Sequence, residues 1–390
     1  MNHPAHRASI FLQDAPVLEH HAFPGGQYIL RLQAPKCAAK ALPGQFVHLT
    51  VDPQRPLRRP ISIMRSDPQQ GWIELLYKVV GAGTALLAQR RAGESLSLLG
   101  PIGQPFQIRH RRPLLIGGGV GMPPMIFIAQ TIKDSHPQAT VILGSEVPFP
   151  FTPKPSHIML PGIPEGIIAC MPLLEDWGLA SRLCSGQDRP GVYRGFVTEL
   201  AAHWLNALDS TARREVGLYA CGPHPMLEAV VRLAAEFDLP VQVSLEEYMA
   251  CGIGGCAGCT VEVNTGQGSA MQRVCVDGPV FDGYQVFQHQ EKPLRSRFVE
   301  AVLLFQLFDE FRVKPLRAAI FGAGALTAGG GTAGAKITTG AAADTGRGRG
   351  IGAGELGDHP LDRPARGELH DHETDQHDTE QGRDDQQKPS

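Results

Sequence analysis

No stretch of this 390-residue sequence approaches the about 20 consecutive apolar residues of a membrane-spanning helix, and residues 1–15 lack the basic start and apolar run of a secretory leader. A cytoplasmic protein without membrane contact is expected. Neither sign of charge is in excess: 36 Lys and Arg face 39 Asp and Glu, a net charge of −3, so nothing in the total points to nucleic acid as a partner. Cysteine is sparse, with 8 residues, too few for a disulfide scaffold at this length and opposed by a reducing compartment. Aromatic residues make up 6% and stop altogether after Phe321. What is present is a hydrophobic share of 42%, enough for a packed interior, over a length that calls for more than one domain.

Residues 10–101 alternate short apolar runs with turn residues. Tyr28-Ile29-Leu30-Arg31-Leu32, Gln45-Phe46-Val47-His48-Leu49-Thr50-Val51 and Trp72-Ile73-Glu74-Leu75-Leu76-Tyr77-Lys78-Val79-Val80 are punctuated by Pro43-Gly44, Asp52-Pro53 and Gln70-Gly71, the pattern of a small antiparallel barrel. From Pro113 the rhythm becomes strand, glycine loop, helix. Pro113-Leu114-Leu115-Ile116 runs into Gly117-Gly118-Gly119-Val120-Gly121 and a helix over 123–132, followed by a strand at 140–143 and a strand and helix at 216–220 and 225–237. Strands alternating with helices imply a parallel sheet, so the fold class is multidomain β plus α/β. The segment 246–263 is rich in Gly and Cys and closes near Phe287. It is too short for a core of its own and is expected to be organised by something bound. Beyond it, 298–311 reads as a single amphipathic helix, and the Gly, Ala and Thr residues after 321, followed by an acidic stretch, read as disordered. His370, His372 and His377 belong to that solvated tail rather than to a metal site. A fused accessory tail and a shifted reading frame both account for the compositional break.

Four cysteines cluster. Cys251, Cys256, Cys259 and Cys275 form C-x4-C-x2-C with a more distant fourth member, on a loop with Gly252, Gly254, Gly255 and Gly258. Thiolates spaced in this way suit a [2Fe-2S] cluster, with glycines letting the backbone wrap closely and aim N–H groups at the sulfurs. The first three have the plant-type two-iron spacing, and the fourth comes sooner than in those ferredoxins. Structural zinc is the alternative, although its ligands usually come in two narrow knuckles and the Cys251 to Cys256 gap is wider. Cys37, Cys170 and Cys184 are isolated and read as packing residues.

Arg59-Pro60-Ile61-Ser62 sets a permanently charged fork, a fixed turn and a hydroxyl close together. An exposed Arg before a turn is common, so this signal is weak alone. Gly81-Ala82-Gly83-Thr84 follows, ahead of a helical stretch at 85–91, where N–H groups and the Thr hydroxyl can hold a phosphate. The glycines Gly117, Gly118, Gly119 and Gly121 stand between strand and helix as in a nucleotide loop, yet Met122 breaks G-x-G-x-x-G, and a tight turn is the plain alternative. Cys221-Gly222-Pro223 ends a later strand at the edge where an open sheet binds ligand, although Cys221 by itself would also suit a buried thiol. Glu146, just after the second strand of this part, suits a ribose hydroxyl and would repel a 2′-phosphate, which favours NAD over NADP.

In this order the motifs resemble the ferredoxin reductase superfamily, and most closely its branch of electron-transfer subunits of NAD-linked dihydroorotate dehydrogenases. Leu99-Gly100-Pro101-Ile102-Gly103, Gly195-Phe196-Val197-Thr198 and Ser244-Leu245-Glu246-Glu247 carry the resemblance together with the motifs above, over residues 8–287. The resemblance implies an FAD-binding β-barrel at 8–106, an NAD-binding α/β domain at 107–243 and a [2Fe-2S] domain at 244–290, with 291–390 as helix and tail. FAD would be bound by Arg59 to Ser62, by Leu76, Tyr77 and Lys78, and by Gly83 and Thr84. NAD would lie on the glycine loop, Glu146, Gly222 and Pro223, with Cys221 as the catalytic candidate beside nicotinamide and flavin. The four Cys would hold the cluster. The chain would be an oxidoreductase subunit in pyrimidine biosynthesis, passing electrons from the FMN of a dihydroorotate-oxidising partner, in a heterotetramer, through the cluster and FAD to NAD⁺. No acid or base is required of the chain, because the flavin carries the chemistry. Two other readings stand beside this one: a related NAD(P)H-dependent reductase subunit serving ferredoxin, polysulfide or a hydrogenase, and a colourless zinc-stabilised nucleotide-binding module. Tyr248 replaces the Arg common in the family before Met-Ala-Cys, and 175–193 exceeds the usual acidic-glycine loop, which is expected to reshape the nucleotide side.

Overall fold

The computed structural model describes residues 9–287, apart from 53, 54 and 56. The expected helix at 298–311 and the polar tail with its histidines lie outside the described residues. Six strands, β1 (Phe11–Phe23), β2 (Gln27–Gln33), β3 (Phe46–Thr50), β4 (Arg59–Asp67), β5 (Trp72–Lys78) and β6 (Ser95–Ile102), close an antiparallel barrel in the order β1-β2-β5-β4-β3-β6. Two short helices, α1 (Pro35–Ala38) and α2 (Ala82–Leu87), fill its connections. The period-2 pattern sends Leu30, Leu32, Val47, Leu49, Ile63, Ile73, Leu75 and Leu98 inward, all with no exposed surface. Each such burial contributes about 1.5–3 kcal/mol. The opposite parity of β4 and β5 is apolar too: Met64 and Leu76 pack with Leu115, Met122 and Met125 of the following region. Barrel and sheet therefore share a core.

The second part opens with β7 (Arg112–Gly118), α3 (Met122–Ile132) and β8 (Thr140–Gly144). A two-stranded ribbon of β9 (Lys154–Pro155) and β10 (Ala169–Cys170) leads to α4 (Pro172–Asp176), β11 (Ala180–Ser185) and β12 (Tyr193–Arg194). Then come α5 (Val197–Ala207), α6 (Ser210–Arg214), β13 (Val216–Cys221), α7 (His224–Glu236) and β14 (Val241–Ser244). The strands pair in parallel as β12-β11-β8-β7-β13-β14. Leu114 and Ile116 face a core with Trp204 of α5 and Val230 of α7, while Leu115 faces α3. Cover on both faces explains why these strands are apolar throughout instead of alternating. The chain leaves β7 toward β8 on one side and β13 lies on the other, which opens a crevice at the carboxyl ends of β7 and β13.

The stretch 175–193 is not an enlarged loop. It holds the end of α4, the fully buried β11 and the start of β12. Its strand was hidden by a polar sequence: Arg182 is buried within it, donating to the carbonyls of Ile158 at 2.8 Å, Ile167 at 3.1 Å and Ser181 at 2.7 Å. The helix expected at 85–91 also begins earlier, so that Thr84 lies inside α2 rather than before it. The hydroxyl of Thr84 accepts from the N–H groups of Val80 at 3.0 Å and Gly81 at 3.2 Å, which starts the helix there.

The cysteine-rich segment carries a hairpin of β15 (Thr260–Asn264) and β16 (Ser269–Arg273), then β17 (Val280–Asp282) and α8 (Gly283–Val286). It does not stand apart. Strand β17 joins the large sheet antiparallel to β14, and the N–H of Gln104 next to the barrel donates to the Gly278 carbonyl at 2.6 Å.

Candidate functional site

The four cysteines come together as two pairs. Cys251 and Cys256 share a thiol hydrogen bond, and so do Cys259 and Cys275. Cys256 is exposed, Cys251 half-buried, and Cys259 and Cys275 are buried. Burial raises the Cys251 thiol, but N–H groups of Ile253, Cys256 and Gly255 aimed at its sulfur outweigh this and bring it down to about 7. Cys275 is pushed up to about 12 by burial and by Cys259 beside it. The loop achieves this wrap with Gly252 and Gly254 at φ +68° and +82°, a left-handed backbone that side chains disfavour. Among the described residues no three His, Cys, Asp or Glu side chains converge as around one ion. Cys251, Cys256 and Cys259 on the glycine loop and Cys275 just after β16, met as two thiol pairs, suit a two-iron cluster, which takes two ligands on each iron.

The flavin candidates gather at one end of β4 and β5. Arg59 opens β4, and its guanidinium lies so close to Gly83 that a Cβ there would collide with it. It is held by donating to the Leu57 carbonyl at 2.6 Å. Pro60 is exposed, Ile61 turns into the barrel, and Ser62 and Lys78 are half-buried. The three residues Leu76, Tyr77 and Lys78 do not act alike. Tyr77 points into the barrel, where its hydroxyl meets His20 Nε2 at 2.9 Å and its ring stacks on Tyr28 at 5.4 Å, so only its backbone is open to a ligand outside. Leu76 lies in the seam with Met64 and Met122.

The nucleotide candidates meet at the crevice. Gly117 is the register partner of Cys221, and Gly118 of Gly144, next to Ser145 and Glu146. Gly119 has φ +56°, and a Cβ on Gly121 would overlap the backbone of Cys221 and Gly222. Gly222 and Pro223 lead into α7. Glu146 is exposed at the strand end, while the buried hydroxyl of Ser145 has no hydrogen-bond partner in the protein. Cys221 is fully buried, and burial followed by the charge of Glu246 raises its thiol far above the ordinary range, opposed by a bond with Ser244. The Glu246 side chain keeps a face to solvent, yet surrounding protein raises its carboxyl above the usual range. Burial thus disfavours the thiolate form of Cys221.

Residues 24–106 match an oxidoreductase FAD-binding domain, and 246–287 match the iron-sulfur cluster binding domain of dihydroorotate dehydrogenase B. The dihydroorotate dehydrogenase B (NAD(+)) electron transfer subunit of Desulforamulus reducens is 33% identical over 279 residues, covering 70% of this chain and 97% of that protein. The chain belongs to this family of electron transfer subunits. A second member, from Geobacillus kaustophilus, is 35% identical over 254 residues, covering 63% of this chain and 86% of that one. The structure described for the NADH-dependent reduced ferredoxin-NADP oxidoreductase, which concerns flavin-based electron bifurcation, aligns with a TM-score of 0.56 at 25% identity, over 73% of this chain and 98% of that one.

Four residues that the structure places at these sites were given no role by the sequence: His48, Ser145, Ser244 and Glu246. Ser244 and Glu246 lay inside a quoted motif, but only strand pairing sets Ser244 beside Cys221. His48 sits in an apolar strand at the parity of an outward residue, an unremarkable pattern until the cysteine loop covers it. Burial, then the charge of Arg58, lowers its imidazole to about 4.

Proposed function

We propose that this chain is the electron-transfer subunit of a dihydroorotate-oxidising enzyme of pyrimidine biosynthesis, receiving reducing equivalents from a separate FMN-containing catalytic subunit and delivering them to NAD⁺. The observation that carries the reading is the joining of three sites in one shared framework: the paired cysteines, the Arg59 and Gly83 contact, and the crevice of Gly117 and Cys221. FAD and the [2Fe-2S] cluster, when bound, supply the one-electron and hydride chemistry.

On this reading the barrel at 8–106 holds FAD, the region 107–243 holds NAD, and 244–290 holds the cluster. Arg59 and the backbone N–H of Thr84, whose hydroxyl is turned back to Val80 and Gly81, grip the flavin pyrophosphate, with Gly83 leaving room for the guanidinium, while Ser62, Lys78 and the backbone at Leu76 and Tyr77 line the ring. The bare backbone of Gly119 admits the dinucleotide, with Gly118 closed over by Met226 and Pro223, Glu146 accepts from its ribose, and the strand end at Cys221, with Gly222 and Pro223, abuts the nicotinamide. Cys251, Cys256, Cys259 and Cys275 ligate the iron. The assembly is a cytoplasmic heterotetramer; among the described residues no helix is long and apolar enough to cross a membrane. The likeness to the reduced ferredoxin-NADP oxidoreductase favours one other reading, a reductase subunit with the same cofactors and a ferredoxin-like partner.

Anaerobic purification from the native host separates the two. A co-purifying flavoprotein that oxidises dihydroorotate, with NAD⁺ reduced when dihydroorotate is added, is the expected result. The same cofactors with a different partner would move the assignment to the second reading, and a colourless protein would overturn both.

A further inference from the structure

His48 stands in the middle of β3, where Val47 and Leu49 turn into the barrel and the histidine turns out. Its register partner on β4 is Pro60, within the flavin motif. On its outer side lies Gly252, the residue after the ligand Cys251, so close that a Cβ on Gly252 would meet His48 Nδ1 at 2.7 Å. The ring faces the backbone of Cys251 and Arg58. The side chain has no exposed surface, and neither ring nitrogen closes a well-aligned hydrogen bond within the protein, although the carbonyls of Arg58 and Cys251 lie beside the ring. The side chain of Arg58, just before β4, is engaged elsewhere, donating to the His48 carbonyl at 3.1 Å and the Ser97 carbonyl at 2.8 Å.

A buried polar group left unpaired costs about 1–3 kcal/mol, so an orphaned imidazole at a cofactor loop points to a partner supplied by the cofactor. Nδ1 is the nitrogen turned toward the cysteine loop, and an imidazole N–H is a good donor to sulfur. We infer that His48 is a positioning residue of the electron-transfer site: its Nδ1–H donates to the sulfur framework of the two-iron cluster at Cys251, and so seats the cluster loop on the flavin barrel. The inference rests on the cluster assignment above. A hydrogen bond to sulfur stabilises the more negative, reduced cluster and thereby raises its reduction potential. The same side chain ties the cluster to the strand beside Pro60, which fixes the separation of the two redox sites.

Two measurements on the intact holoenzyme test this. In wild-type protein labelled with ¹⁵N-histidine, pulsed EPR of the reduced cluster should show a weak ¹⁵N coupling that disappears in His48→Asn. In a redox titration followed by EPR and iron content, His48→Leu should keep its iron and shift the cluster midpoint to lower potential, leaving the FAD midpoint in place. His48→Asn, which retains an N–H donor near the Nδ1 position, should recover much of the shift. A normal two-iron signal without ¹⁵N coupling in the wild type, or an unchanged midpoint in His48→Leu, would overturn the proposal. If His48→Leu fails to fold or to hold iron, the wild-type coupling decides alone. A wild-type protein with no two-iron signal would instead refute the cluster assignment.

Discussion

At the scale of single residues, the separation of the two cofactor motifs makes their losses separable. Cys256 is exposed on its loop, and Arg59 is anchored on β4 against Gly83. Cys256→Ala should therefore abolish iron binding while flavin is retained at wild-type stoichiometry, as read by metal analysis and visible absorbance; iron retained in full would remove Cys256 from the ligand set. Arg59→Ala removes charge-assisted contacts worth about 1.5–3 kcal/mol, so FAD affinity should fall by roughly 10-fold to 150-fold, measured as flavin retained on gel filtration or by titration of the apoprotein. Normal retention would mean that Arg59 does not grip the pyrophosphate. Both residues were singled out in the sequence because each lies in a compact motif. Tyr77 shows the limit of such reading, since its motif marks the strand but not that its ring turns inward to His20 and Tyr28.

At the scale of elements, the crevice depends on two strand ends and two helix starts meeting without side chains between them. Gly121, entering α3, has the backbone of Cys221 and Gly222 where a Cβ would stand. Gly121→Ala should destabilise the fold by about 1–3 kcal/mol, the usual cost of forcing atoms into a packed interior. It should also weaken NADH binding, because α3 and α7 are pushed apart at the site. Thermal unfolding and NADH titration check both effects, and a variant with unchanged stability would show that the two turns are not in the contact described. The glycine run was visible in the sequence, but its purpose was not: the fingerprint is incomplete, and the need for Gly121 comes from a strand that lies about a hundred residues further along the chain, beside β7. Strand β11 was missed for a related reason. With Arg182 buried in its middle and carbonyls supplied by the segment 158–167, its polarity concealed a core strand.

At the scale of the whole molecule, barrel, sheet and cysteine segment are joined by a common core at Met64, Leu76, Leu115 and Met122 and by the pairing of β17 with β14. The iron-sulfur match ends at residue 287, and the Desulforamulus relative is covered over 97% of its length by 70% of this chain. A chain shortened to residues 1–290 should accordingly oxidise NADH with ferricyanide at the rate of the full chain, and a large loss of that activity would assign residues 291–390 to the working protein. The sequence by itself determined the kind of chemistry, since a C-x4-C-x2-C run with a fourth Cys close behind it and glycine turns at strand ends are local patterns whose residue types point to what they can bind. Only the tertiary structure decided how those sites meet. The partners that matter, Arg59 with Gly83, Gly121 with Cys221, His48 with Gly252, and β14 with β17, are brought together by strand pairing and packing across long stretches of chain, and such contacts leave no periodicity or spacing in the sequence that could announce them.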